Sequence, residues 1–83
     1  MQECFVYILF SEKLNKYYIG STSDLINRLE LHNSGKSKFT SSGIPWRLCY
    51  SETFSSLHDA MAREHKIKKK KSRKYIEWLI STQ

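Results

Sequence analysis

Cys4-Phe5-Val6-Tyr7-Ile8-Leu9-Phe10 is the longest uninterrupted apolar run in this chain. β-Branched and aromatic side chains dominate it and polar residues close it on both sides, so it reads as a β-strand buried on both faces. A strand apolar on both faces belongs in the middle of a covered sheet. The run is far too short to span a membrane, and no charged-then-apolar leader precedes it. The expectation is a soluble, intracellular chain.

The next segments supply the partners of that strand. Ser11 to Lys16 is polar, and Tyr17-Tyr18-Ile19 follows as a second short strand stopped by Gly20, which makes a β-hairpin the economical connection. Ser23-Asp24 offers an N-cap and a first-turn acid, and Asn33-Ser34-Gly35 a stop, bracketing a helix of about ten residues whose apolar face is Leu25, Ile26 and Leu29. Lys36 to Pro45 lacks periodicity and is rich in Ser, Thr and Gly, the pattern of a mobile surface loop. Trp46 to Thr53 is a third strand. Ser56-Leu57-His58-Asp59 has capping-box spacing and opens a helix that runs through Ala60, Met61 and Ile67 into a lysine run. Ser72 caps a last helix that buries Tyr75, Ile76, Leu79 and Ile80. The order β-β-α-β-α-α predicts an α/β (α+β) fold, a three-stranded antiparallel sheet flanked by helices.

With 83 residues, residues 1–83 make one domain with one small core, in which every buried polar group is expensive. Cys4 and Cys49 lie in strand-like runs without metal-ligand spacing, so neither a disulfide nor a zinc site is expected. Fourteen Lys and Arg against eight Asp and Glu give a net charge of +6, and from Arg63 to Lys74 there are eight basic residues and one acid. A run of that kind is either a solvated helix face or a polyanion-binding surface. The candidates to meet a polyanion are Lys36 and Lys38 in the loop, with Lys66, Lys68, Lys69, Lys70, Lys71, Arg73 and Lys74 in the run.

Several polar residues fall where apolar ones are expected. The inward stripe Leu57, Ala60, Met61, Ile67 includes Glu64, whose carboxylate must therefore meet a cation, a metal ion or a rim of solvent. Arg28 and His32 lie about 40° apart on the first helix, beside the Leu25 and Leu29 stripe. Tyr7 and Tyr18 are on adjacent strands, and a buried phenol needs a hydrogen-bond partner. Two phenols, a guanidinium, an imidazole and a carboxylate on one sheet edge of a basic chain suit phosphodiester hydrolysis. Each residue taken singly also fits an ordinary structural role.

The run from Tyr18-Ile19-Gly20 through Arg28 to His32-Asn33-Ser34-Gly35 closely resembles the core signature of the GIY-YIG nuclease superfamily. The YIG triplet is intact, and Phe5-Val6-Tyr7 stands for GIY with phenylalanine in place of its glycine. The likeness continues through Trp46 to Tyr50 and Ala62-Arg63-Glu64, covers essentially the whole chain, and is nearest to small stand-alone bacterial members related to excision-repair and structure-selective endonucleases. The resemblance implies a DNA endonuclease dependent on one Mg2+ or Mn2+ per site. Tyr7 and Tyr18 match the motif tyrosines, Arg28 the catalytic arginine, Glu64 the metal ligand, and His32 a histidine that assists the tyrosine in some branches. DNA, single-stranded, duplex or branched, is the implied partner, in the cytoplasm at the nucleoid. A homodimer or partner protein would aid targeting. The alternative is a non-catalytic nucleic-acid-binding module that keeps the same fold.

Overall fold

The structure, a computed structural model, describes residues 3–83. The apolar run forms β1 (Cys4–Ser11), which pairs antiparallel with β2 (Lys16–Thr22) on one edge and β3 (Trp46–Phe54) on the other. The sheet order β2-β1-β3 puts β1 in the middle. Ile8 and Leu9, neighbours that point to opposite faces, are both fully buried. Helices α2 (Leu57–Lys70) and α3 (Arg73–Ser81) cover one face, where Val6, Ile8, Ile19 and Tyr50 pack with Ala60, Ile67 and Leu79. Helix α1 (Leu25–Asn33) covers the other, where Leu25 and Leu29 pack against Tyr7, Leu9 and Trp46. No helix among the described residues is long and apolar enough to cross a membrane.

Each of the three α-helices starts at a side-chain cap, as the sequence pattern predicts, although at α1 the cap is Asp24, expected as a first-turn acid behind Ser23. Asp24, Ser56 and Ser72 accept the backbone N–H of Asn27, Asp59 and Tyr75 at 3.2, 3.1 and 3.1 Å. Arg63 anchors α2 to β3 through a fork on Glu52, with Nε and Nη2 each 3.0 Å from a carboxylate oxygen, and Tyr50 donates to the same carboxylate.

Four expectations change. Gly20 does not stop β2: the strand continues to Thr22, and Gly20 sits opposite Tyr7 within it. Ile26 is 75% exposed, because at 100° per residue it is turned away from Leu25 and Leu29, and His32 takes the third inward position of α1. Leu57 and Met61 are exposed as well. A three-stranded sheet offers a narrow face that α3 shares, so only Ala60 and Ile67 at the centre of the α2 stripe are covered. Finally, the segment from Lys36 to Pro45 is pinned to the fold. Thr40 is buried, its carbonyl accepts from Trp46 Nε1 at 2.7 Å, and the Gly43 carbonyl accepts from Ser11 Oγ at 2.6 Å. Asn33 brackets the Trp46 backbone, donating to its carbonyl and accepting from its N–H.

Candidate active site

The pairing of Tyr7 with Gly20 sets the geometry. A Cβ at position 20 would stand 2.5 Å from Tyr7 Oη and 2.6 Å from its Cζ, so only glycine lets the phenol lie across β2. Tyr7 Oη then reaches His32 Nε2 at 2.9 Å, and His32 Nδ1 reaches Thr40 Oγ1 at 3.0 Å. Tyr18 packs on the same imidazole, ring centroids 4.8 Å apart and edge-on, with its ring 6.4 Å from that of Tyr7. Tyr7, His32 and Thr40 are all buried.

Burial and the neighbouring Tyr18 push the Tyr7 phenol up to about 12, against the pull of the Arg28 guanidinium. Burial, and then Arg28, hold His32 below its ordinary value. At neutral pH the phenol therefore keeps its proton and the imidazole is uncharged. A neutral imidazole has one N–H. If Nε2 donated it to Tyr7, the buried phenol's own proton would find no acceptor among its hydrogen-bonded partners. We therefore assign the tautomer in which Tyr7 donates to Nε2 and Nδ1–H donates to Thr40 Oγ1.

Glu64 comes from the opposite face of the sheet. Ser21, next to Gly20 on β2, donates its hydroxyl to Glu64 Oε1 at 2.6 Å, and Lys68 Nζ donates to Oε2 at 2.6 Å. The side chain is 20% exposed, so the carboxylate sits at a partnered rim of the apolar stripe. Its charge still raises the Tyr7 value, as the last of several influences. Because successive strand residues face opposite ways, Gly20 seats Tyr7 on one side of the edge strand while Ser21 holds Glu64 on the other. Tyr7, Tyr18, His32, Arg28 and Glu64 are thus gathered around β2.

Among the described residues no three His, Cys, Asp or Glu side chains come together as a metal cage. A cation here would take Glu64 as its protein ligand. One hard carboxylate oxygen fits magnesium or manganese, ions that keep several waters and share substrate phosphates. The Lys68 ammonium already shows this oxygen accepting a positive charge, and with Lys68 52% exposed its departure is unhindered.

The basic run divides. Lys68, Lys71 and Arg73 line a concavity of about 340 Å³ with Asn15 and Lys16 beside the Glu64 edge. Lys66, Lys69 and Lys70 line another of about 520 Å³ with Arg63 and Tyr75. Arg73 is engaged within the fold, donating to Glu77 and to the Asn15 carbonyl and side chain. Lys36, Lys38 and Lys74 are exposed. Ser21, Thr40 and Lys68 as side-chain partners of the site were not legible in the sequence, since Ser21 lies past the glycine read as the end of the strand, Thr40 in a stretch read as loop and Lys68 in a charge run. The one available signal was that a buried imidazole and an inward carboxylate both require partners.

An antiparallel three-stranded sheet with helices on both faces, and with a phenol–imidazole pair, a guanidinium and a lone carboxylate around one edge strand, defines a nuclease-type α+β domain. The model of the GIY-YIG catalytic domain matches residues 3–76, and the chain belongs to that family. Similar proteins include a UPF0213 protein of Streptococcus pneumoniae serotype 4, 43% identical over 68 residues that cover 81% of this chain and 69% of that one. Another, from Bacillus velezensis, is 40% identical over 77 residues that cover 88% and 77% of the two chains. The solution NMR structure of a UPF0213 protein from Bacillus halodurans superimposes with a TM-score of 0.61 at 35% identity, covering 98% of this chain and 85% of that one.

Proposed function

We propose that the chain is a divalent-cation-dependent endonuclease that hydrolyses phosphodiester bonds of DNA at the β2 edge. The observation that carries the reading is the Tyr7–His32 hydrogen bond, 2.9 Å long and buried, set beside Arg28 with Glu64 across the same strand. A chain that only bound nucleic acid would gain nothing from a buried phenol–imidazole relay or from a carboxylate near a polyanion.

In this reading the phenol oxygen of Tyr7 accepts a hydrogen bond from the attacking water and orients it toward phosphorus; as the water adds and the bond to the leaving oxygen breaks, the water's proton passes to that phenol oxygen and the phenol's own proton passes to His32 Nε2. Arg28 neutralises charge developing on the phosphoryl oxygens. Thr40 and the ring of Tyr18 hold the imidazole in place. A magnesium or manganese ion on Glu64 would polarise the phosphate and lower the pKa of a bound water. With one site per chain, a single-strand cut or nick is the expected product.

The test is a nicking assay on single-stranded, duplex, flap and branched DNA in magnesium, manganese or chelator, with Glu64→Gln in parallel. Wild type should cleave at least one substrate, chelator should stop it, and Glu64→Gln should be inactive. The exposed Lys68–Glu64 pair is worth at most about 1 kcal/mol, so the variant should melt within about 8 °C of wild type. A folded Glu64→Gln that still cleaves would remove Glu64 from the reaction. Binding without cleavage by wild type would leave the non-catalytic module.

A further inference from the structure

Phe39 is 89% exposed, more than any other large apolar side chain among the described residues. Single exposed hydrophobes are common and need no explanation when they sit on loose surface. Phe39 sits on backbone that is held. The next residue, Thr40, is 1% exposed, its hydroxyl is bonded to His32 Nδ1 and its carbonyl to Trp46 Nε1. The Ser37 carbonyl accepts from both Thr40 N–H at 3.2 Å and Ser41 N–H at 3.0 Å. Thr40 turned inward onto the His32 imidazole leaves its neighbour Phe39 turned outward, one residue from the hydroxyl that bonds His32. The ring is therefore presented to solvent at a fixed place beside the site.

Its neighbours along the chain carry charge of one sign, with Glu30 sharing a concavity with Lys36. Lys36 and Lys38 flank it and are exposed, and no Asp or Glu occurs between Glu30 and Glu52. An aromatic face bordered by lysines matches the chemistry of an unpaired nucleotide, whose base offers a π-face while its phosphates offer negative charge. In a duplex the base faces are already covered by their neighbours, and recognition by stacking requires a base that is splayed out.

We propose that Phe39 stacks on an unpaired base next to the cleaved phosphate, with Lys36 and Lys38 on the flanking phosphates, so that the substrate is single-stranded or branched nucleic acid. This rests on the nuclease reading for the word substrate, but its test is a binding measurement. Full-length protein in chelator is titrated into a labelled single-stranded oligonucleotide carrying 2-aminopurine, and into the same sequence as a duplex. Phe39→Ala should weaken single-strand binding about 5- to 150-fold and change duplex binding less than about twofold. Phe39→Trp should retain it, and the 2-aminopurine quenching seen with wild type should be lost in Phe39→Ala. Unchanged single-strand affinity, or an equal loss on both polymers, overturns the proposal. Stacking by a wild type that cleaves nothing upholds the proposal and withdraws the nuclease reading alone. A wild type that binds neither polymer overturns both.

Discussion

Replacing Gly20 by alanine adds one methyl group at the point where β2 meets Tyr7. On an ordinary strand position this change gains about 0.5–1 kcal/mol, because glycine loses the most chain entropy on folding. Here the new Cβ would stand 2.5 Å from Oη, 2.6 Å from Cζ and 3.1 Å from Cε1 of Tyr7. The ring has nowhere to go: it is 1% exposed and tied to His32 at 2.9 Å. Overpacking of this kind costs about 1–3 kcal/mol, and breaking the Tyr7–His32 bond adds about 0.5–1.5 kcal/mol. The clash therefore outweighs the propensity gain, with a net loss near about 2 kcal/mol that lowers the melting temperature by about 8–16 °C. Calorimetric melts of Gly20→Ala give the loss, and the same substitution in a Tyr7→Leu background identifies its cause. Leucine lacks all three clashing atoms, so there the alanine should be neutral or stabilising. A Gly20→Ala protein as stable as wild type would refute the reasoning, and so would an equal loss in the leucine background.

Arg28→Ala should lower the cleavage rate by a factor corresponding to about 2–4 kcal/mol of barrier while DNA affinity changes little, because in the proposed reaction the guanidinium acts on charge that develops in the transition state. Single-turnover rates beside binding isotherms check it, and lost affinity at an unchanged rate would make Arg28 a backbone clamp. His32 sets the acid side of stability. Its folded value lies below the ordinary 6.5, so as pH falls below 6.5 the unfolded chain takes up the proton first. The stability contributed by neutral His32 is full above that pH and is lost as pH drops through the lowered folded value, at no more than about 1.4 kcal/mol per pH unit. Melting temperatures from pH 7.5 to 5 should fall more steeply for wild type than for His32→Gln, and parallel curves would mean that His32 is not held neutral by burial.

Much of this architecture could be read from local sequence. The apolar run Cys4 to Phe10 has no stable place except the centre of a sheet, and Asp24, Ser56 and Ser72 each satisfy orphan N–H groups within their own first turn. Such features depend on residues a few positions apart, and spacing reports them. The identities of Tyr7, Tyr18, Arg28, His32 and Glu64 could also be marked, since each is a polar group in an apolar setting or part of a motif. Their partners could not. Ser21 meets Glu64 across 43 positions and Tyr7 meets His32 across 25, distances at which no periodicity links one side chain to another. The same holds for Gly20: locally a glycine after Tyr-Tyr-Ile signals the end of a strand, and only the β1–β2 register shows that it is the floor beneath a phenol. Thr40 looks like loop until His32 is seen to need an acceptor, and the lysine run looks like one patch until α2 turns its members toward different walls. Sequence by itself determined which elements form and marked the candidate site residues. The tertiary structure decided which of those residues touch, because long-range contact is set by the packing of whole elements against one another and is recorded in no single stretch of chain.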